Sequence, residues 1–563
     1  MTINEQYELW LKRAVKDKDL TDELEQIRGN DAEIKDRFWR SLEFGTGGLR
    51  GVIGAGTNRM NIYTVAQATQ GLSDYLNANF DEPTVAIGYD SRIKSDKFAE
   101  AAASVLAANG IKVYMYPSLR PTPMVSFAVR RLHCSSGIVI TASHNPSKYN
   151  GYKCYDYRGY QMTDEAANET LSYISKTDIF NDVKWMDFTD ALAEDMVDYI
   201  EDWVDFDYYD KIIKTEFFDD KKAKEALNIL YTPLNGTGNK PVRHILRLAG
   251  FKNLRVVPAQ ENPDGTFPTC PFPNPEIKQV FEEGFNYIKC ENYDADLIIA
   301  TDPDADRIGL AVKDKNEYKL LTGNETGCLL VDFLLSQKKA MGTLPENPVV
   351  VKTIVTTPLV NAIGKKYGCE ITDLLTGFKY IGELITELEE KDESDRYLIG
   401  FEESYGYLVG THVRDKDSVV SALQIADMAA YYKKNGTNLY ARMQEIYAEY
   451  GMYLNTLLNF GFEGADGMAK MLKMMDDMRA NTPTEIAGIK VKNSIDYLND
   501  DTGLPKSNVL SFLMEGDNKV IVRPSGTEPK IKVYITSVAE NREMATELSD
   551  TIGESMKKIM GIE

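Results

Sequence analysis

The sequence predicts an α/β protein assembled from several successive units. Three observations carry this expectation. Its 563 residues exceed the roughly 100–200 of one domain. From about residue 84 onward, short apolar β-branched runs alternate with helical patterns, the arrangement of α/β architecture. Hydrophobic residues make up 43% of the chain and aromatic residues 10%, ample for several packed cores.

Charge and composition exclude several function classes. The net charge of −22 argues against nucleic acid, whose phosphates demand a basic surface. An anionic substrate would need a local basic pocket set against that background. The six cysteines (Cys134, Cys154, Cys270, Cys290, Cys328 and Cys369) form no Cys-x-x-Cys pair and no disulfide framework. Four scattered histidines argue against a zinc site. The polar start, Met1–Gln6, lacks an apolar signal core, and no run reaches the roughly 18 apolar residues of a membrane span. A soluble, cytoplasmic protein without nucleic-acid or membrane partners is expected.

Residues 5–40 place Tyr7, Trp10, Leu11 and Ala14 at helical spacing and predict a helical N-terminal extension. Phe44–Gly51 surrounds Arg50 with glycines. They miss the Gly-x-Gly-x-x-Gly spacing, because Arg50 stands where the last glycine would fall, and no Gly-Lys-Ser/Thr exists. Backbone able to approach a ligand, with a guanidinium fork, suits an anion. A flexible turn with a solvated arginine fits the same residues.

Strands are predicted at 84–89, 112–116 and 137–141, and helices at 95–109 and 123–132. The run Ile138-Val139-Ile140 ends in Thr141-Ala142-Ser143-His144-Asn145-Pro146, where Pro146 cannot continue a ladder. A tight loop thus presents the Ser143 hydroxyl beside His144. Tyr149-Asn150-Gly151 reads as a further turn that sets Lys153 on the next extended piece. Such a loop fits transfer of a charged fragment, or a serine-rich turn with a lysine reaching to solvent. Residues 187–210 read as a helix leading out of the first unit.

A second unit opens with the strand 227–231 and the turn Asn235-Gly236-Thr237-Gly238, followed by a helix. Asn262–Pro275 is proline-rich and reads as a long surface loop. The strand 295–301 ends in Asp302-Pro303-Asp304-Ala305-Asp306-Arg307. Alternate residues of an extended segment point the same way, so three carboxylates can converge on one hard cation. An EF-hand is excluded, since its sixth position would be Arg307 and its twelfth Lys313. Mg²⁺ fits, because it takes few protein oxygens; a solvated acidic turn is the alternative.

A third unit runs from 349 to about 450, with loops at Thr376-Gly377-Phe378-Lys379 and at 400–417. Gly400-Phe401-Glu402-Glu403-Ser404-Tyr405-Gly406 offers carboxylates and a hydroxyl to sugar hydroxyls, or starts a helix. Residues 451–486 read as a connection plus a helix. Strands near 509–514, 519–523 and 531–536 and a helix at 539–558 complete the chain. Arg523-Pro524-Ser525-Gly526-Thr527-Glu528-Pro529-Lys530 is a rigid loop with hydroxyls, N–H groups and a guanidinium, as a phosphate dianion requires.

TASHNP with NGYK, the Asp302–Arg307 run, GFEES and RPSGTEPK stand in the order found in the α-D-phosphohexomutases, the phosphoglucomutase and phosphomannomutase group. The chain resembles that family over residues 42–537. With GFEESYGYL and TGFKYIG it looks most like the long bacterial phosphoglucomutase branch, which includes phosphopentomutase-like relatives. The resemblance implies four domains around a central cleft: three similar α/β units with mixed sheets, then a smaller α+β domain. The expected spans are 1–205, 206–322, 323–450 and 451–563.

It also implies site roles. Ser143 would carry the phosphoryl group and, with Asp302, Asp304 and Asp306, hold Mg²⁺. His144, Arg50, Lys153 and Lys416 would serve catalysis. Arg307, Gly377, Glu402, Ser404, Arg523, Ser525, Gly526 and Thr527 would bind the sugar phosphate. Some relatives carry a histidine just after the sugar loop; Tyr405-Gly406 stands here, so that role is not carried over. The implied reaction interconverts glucose 1-phosphate and glucose 6-phosphate, with glucose 1,6-bisphosphate as intermediate and primer. Mannose or pentose phosphates, hexose-bisphosphate synthesis and a non-catalytic sugar-phosphate sensor are the alternatives. A monomer or weak dimer is expected.

Overall fold

The computed structural model describes residues 1–45, 47–462, 467–525 and 530–562. Three short helices open the chain: Ile3–Arg13, Lys18–Gln26 and Asp31–Phe38. Thr2, Asp17 and Asn30 cap them by accepting backbone N–H groups. Their inner face packs Trp10 edge-on against Phe38, Tyr63 and Phe180, which fastens the extension to the first unit.

Four sheets follow. The first contains β1 (Gly48–Val52), β2 (Thr84–Tyr89), β3 (Lys112–Met115), β4 (Ser136–Ile140), β5 (Tyr149–Asp156) and β6 (Val197–Tyr199), in the order β1-β5-β4-β2-β3-β6. The second has β7 (Ile229–Thr232), β8 (Leu254–Val256), β9 (Leu297–Thr301), β10 (Ile308–Asp314) and β11 (Glu317–Leu321), ordered β11-β10-β9-β7-β8. The third has β12 (Val349–Thr353), β13 (Glu370–Leu374), β14 (Tyr397–Glu402) and β15 (Gly406–Val409), ordered β13-β12-β14-β15. The last is wholly antiparallel: β16 (Met452–Gly461), β17 (Glu485–Ile486), β18 (Ile489–Asp496), β19 (Leu510–Met514), β20 (Lys519–Pro524) and β21 (Lys530–Ala539).

The first three sheets share one device. A fully buried parallel strand, β4, β9 or β14, ends, turns, and pairs antiparallel with the next strand in sequence. Each turn holds one non-glycine residue in the left-handed region: Ser143 (φ 51°), Ala305 (φ 51°) and Tyr405 (φ 67°). Such residues are uncommon and persist where the surroundings enforce them. The repeat therefore sets the serine, aspartate and glutamate loops at equivalent points of three units. An apolar core is shared by the first three units, and the C-terminal sheet has its own methionine-rich core.

Several expectations are corrected. Tyr149-Asn150-Gly151 is not a turn but the start of β5, paired with β1 on one side and β4 on the other. Residues 187–210 form two helices, Phe188–Ala193 and Asp202–Ile213, with the edge strand β6 between them. The 400–417 stretch is mostly the β14–β15 hairpin, which removes the helix-start reading. Lys379 lies inside the helix Phe378–Glu390 rather than in a loop. The 451–486 stretch contains a ten-residue strand, β16, paired along its length with β21. For β5, β6 and β16 a pairing partner (β1, β3 and β21) lies far away in sequence, beyond the reach of local pattern. Asn262–Pro275 is irregular as expected, yet Phe267 and Cys270 are buried in it.

Candidate active site

Ser143 is buried where β4 ends, and its side chain has two partners. Its Oγ lies 3.0 Å from His144 Nδ1 and donates to Asp302 Oδ2 at 2.9 Å, from the second unit. The loop's shape is set from behind. The Ser143 N–H donates to Thr141 Oγ1, and Thr141 Oγ1 donates to Asp90 Oδ2. Asp90 pairs with Arg92 at 3.3 Å, and both side chains are fully buried. The Arg92 guanidinium donates to the carbonyl oxygens of Ser143, Asn145, Pro146 and Tyr149. Phe267, from the irregular loop of the second unit, covers it at 5.1 Å.

Asp302, Asp304 and Asp306 bring one carboxylate oxygen each within 4.8 Å of one another, all buried. Asp304 Oδ1 and Asp306 Oδ1 have no hydrogen-bond partner among the described residues. Burial, then repulsion from Asp304 and Asp306, pushes Asp302 well above the usual carboxylate range. Burial works against ionisation of Asp306 too, but Lys416, Lys153 and Arg307 together hold it low. Orphaned oxygens in a crowded acidic nest match the donor set of a hard divalent cation. The turn Asn235-Gly236-Thr237 supports the nest. A Cβ at Gly236 would stand 2.5 Å from the Pro303 backbone, and the Thr237 N–H donates to Pro303 O at 2.8 Å. Thr122 of the first unit donates to Asp304 Oδ2 at 2.8 Å.

Cations ring the acids. Lys153 Nζ is 2.8 Å from Asp304 and 3.3 Å from Asp306, and Lys416 Nζ is 3.5 Å from Asp306. Burial works against their charge, but the aspartates keep both lysines above their ordinary pKa. His144 goes the other way: burial, then Arg307 and Arg50, hold it well below the ordinary imidazole value. At neutral pH the imidazole beside Ser143 is uncharged and the two amines are charged. Arg50 reaches Asn145 Oδ1 at 3.4 Å and, with Lys153, lines a cavity of about 630 Å³. Arg307 is anchored by Glu276 at 2.7 Å.

The β14–β15 hairpin is organised from the third unit. Glu402 is buried at the end of β14, and its Oε1 accepts the Gly377 N–H at 3.1 Å. Gly377 has φ 128°, a conformation that favours glycine. Ser404 lies at the hairpin tip. Glu402 adds to the negative field at both Arg307 and Lys416, which ties the hairpin to the acidic nest.

Arg523 and Ser525 line a larger cavity of about 980 Å³ between the C-terminal and first units. It shares Leu42, Glu43 and Gly45 with the Arg50 cavity, so the two are contiguous. Neither Ser143 nor the aspartates line it. Gly526 and Thr527 lie outside the described residues. Local pattern reading missed Arg92, Asp90, Thr122 and Glu276. The one available signal was the pair Asp90 and Arg92 immediately after an apolar strand.

Four domain models of phosphoglucomutase/phosphomannomutase match in order: α/β/α domains I, II and III at residues 41–179, 207–316 and 322–450, and the C-terminal domain at 473–551. A phosphoglucomutase of Staphylococcus aureus is 35% identical over 94% of this chain and 95% of its own. One from Staphylococcus haemolyticus is 34% identical over 91% and 93%. Two solved structures share the fold. Parafusin, a phosphoglucomutase from Paramecium, has a TM-score of 0.71 at 17% identity, covering 93% of this chain and 96% of that one. A phosphomannomutase homologue from Thermus thermophilus has 0.68 at 22%, covering 93% and 99%. With all four domain models in sequence and curated relatives matched nearly end to end, the chain belongs to the phosphoglucomutase/phosphomannomutase family.

Proposed function

We propose that this enzyme is an isomerase that moves a phosphoryl group between O1 and O6 of glucose through a phosphorylated Ser143. One observation carries the reading. Ser143 Oγ, bonded to Asp302, sits at the meeting point of a buried triple-carboxylate nest and a ring of cations. Phosphoryl transfer needs positioning and charge stabilisation more than covalent help.

Asp302, Asp304 and Asp306, with an oxygen of Ser143, would hold Mg²⁺, which when bound offsets phosphate charge and polarises phosphorus. In the first half-reaction a sugar hydroxyl attacks the phosphorus, the bond from Ser143 Oγ to phosphorus breaks, and glucose 1,6-bisphosphate forms. The proton lost by the sugar is matched by the one Ser143 gains. Neutral His144, 3.0 Å from Ser143 Oγ, is the group placed to pass it. Lys153 and Lys416, fully charged, serve instead as counter-charges to the phosphoryl oxygens, with Arg50 beside them. Glu402, Ser404, Gly377 and Arg307 hold the sugar, and Arg523, Ser525, Gly526 and Thr527 grip the phosphate that does not react. The bisphosphate then turns end for end and returns its other phosphoryl group to Ser143. Glucose 1,6-bisphosphate primes the unphosphorylated enzyme. We further read the enzyme as cytoplasmic and as a monomer or weak dimer, acting on sugar phosphates alone.

The test is conversion of glucose 1-phosphate in the presence of Mg²⁺ and catalytic bisphosphate, with intact mass recorded in parallel. Glucose 6-phosphate should form and the protein should carry one phosphoryl group, both lost in Ser143→Ala. Release of free phosphate, or an unimpaired Ser143→Ala variant, would overturn the mechanism. Faster turnover of mannose or ribose 1-phosphate would overturn the sugar assignment.

A further inference from the structure

The junction between the third unit and the C-terminal sheet holds a cavity of about 500 Å³ that the catalytic cleft does not use. Three lysines line it: Lys352 on β12, Lys365 on the helix Leu359–Lys366 and Lys519 on β20. Two carboxylates, Asp373 and Asp517, share the lining, which leaves it net positive on a chain of charge −22. Lys352 is 1% exposed and pairs with Asp373 at 2.6 Å. Lys519 crosses between the units and donates to the Ile354 carbonyl oxygen at 2.9 Å, a neutral acceptor. Burial, then repulsion from Lys352, holds Lys519 down to about 8. Charged amines gathered with too few acids leave room for an external anion. The amides of Asn361 and Asn493 and the Ser511 hydroxyl lie on the same lining and can complete its hydrogen bonds.

We propose that this cavity is a second ligand site that takes a phosphorylated small molecule, its phosphate held by Lys352, Lys365 and Lys519. Lysine binds phosphate as a point charge, and the volume is that of a small-molecule pocket, with room for more than the phosphate alone. Position gives the site a route to the catalytic cleft. Lys519 and Arg523 stand on the same strand, β20, roughly 13 Å apart along its length. The site also adjoins the apolar cluster of Ile354, Val355, Leu375, Tyr497, Val509 and Ile521 that joins the two units. An occupant therefore braces the strand that carries Arg523.

Titration calorimetry on the full-length protein tests this, with Arg523→Ala added throughout to weaken anion binding in the cleft. The two probes are inorganic phosphate and a nucleoside monophosphate, AMP. Saturable binding of either is expected. AMP binding tighter than phosphate supports the phosphorylated small molecule, and phosphate binding as tightly as AMP or more tightly overturns it in favour of a site for the bare anion. Lys519→Met should weaken binding at least tenfold and Lys519→Arg should restore it. Asn361→Asp, on the exposed rim and without risk to the fold, should weaken it as well. No saturable binding of either probe, or affinity unchanged in Asn361→Asp, overturns the proposal. The readout is binding and stands apart from turnover at Ser143.

Discussion

Arg92 grips Ser143 by its backbone: the guanidinium donates to the carbonyl oxygens of Ser143, Asn145 and Pro146 in the loop and of Tyr149 at the start of β5. A planar fork with five donors suits this task, and a lysine ammonium does not. Arg92→Lys should therefore lower kcat by about 100-fold with little change in KM, since a loop displaced by about 1 Å costs that much. Phosphoserine content after incubation with the bisphosphate should fall in parallel, and Asp90→Asn should behave alike. A variant with normal phosphoserine content and normal kcat would remove Arg92 as a positioning residue.

Thr122 ties the first unit to the acidic nest of the second through Asp304. Thr122→Val keeps the shape and removes the donor. Groups that hydrogen-bond to metal ligands are worth about 10- to 100-fold in metal affinity. Metal titration of the variant should show a loss in that range, with saturating Mg²⁺ restoring most of the turnover. Affinity within twofold of the parent would show that the hydroxyl serves only packing.

Trp10 is 2% exposed and meets three aromatic rings, two of them outside the N-terminal extension. Trp10→Ala should cost about 3–5 kcal/mol by denaturant unfolding, as for other large-to-small core changes. Should the loss stay under about 1 kcal/mol, the extension does not share the first unit's stability.

Lys519 gives a pH signature. Its folded pKa of about 8 lies below the ordinary 10.5, with Lys352 and Asp373 as its charged neighbours. Between those values the unfolded chain holds a proton that the folded chain has released, so stability rises with pH across that window. Below pH 8 the full penalty applies, at most about 3 kcal/mol and less for the exposure Lys519 retains. Lys519→Met should flatten the rise between pH 8 and 10.5 in anion-free buffer, measured by denaturant unfolding. An unchanged slope would mean that Lys519 titrates normally.

Much of the site was readable as residue type and local sequence. Ile138-Val139-Ile140 and Leu297–Thr301 are apolar runs that end abruptly, so the loops after them, with Ser143 and Asp302–Asp306, stood out without coordinates. The Asn235-Gly236-Thr237-Gly238 turn was legible from its residue types, although the Pro303 carbonyl oxygen that Thr237 donates to lies far along the chain. What failed was whatever depends on a distant strand. Asn150 and Gly151 look like turn residues, yet β1 and β4 clamp them into β5, and β16 exists because β21 pairs with it.

The strand-then-loop units, the residue types in their loops and the family resemblance are written in short runs of residues. Folding is what brings three such loops to equivalent hairpins, makes Arg92 a buried clamp, and holds His144 neutral while Lys153 and Lys416 stay charged. The physical reason is that burial and the field of neighbouring charges set protonation and orientation, and both depend on which distant residues folding brings within a few ångströms.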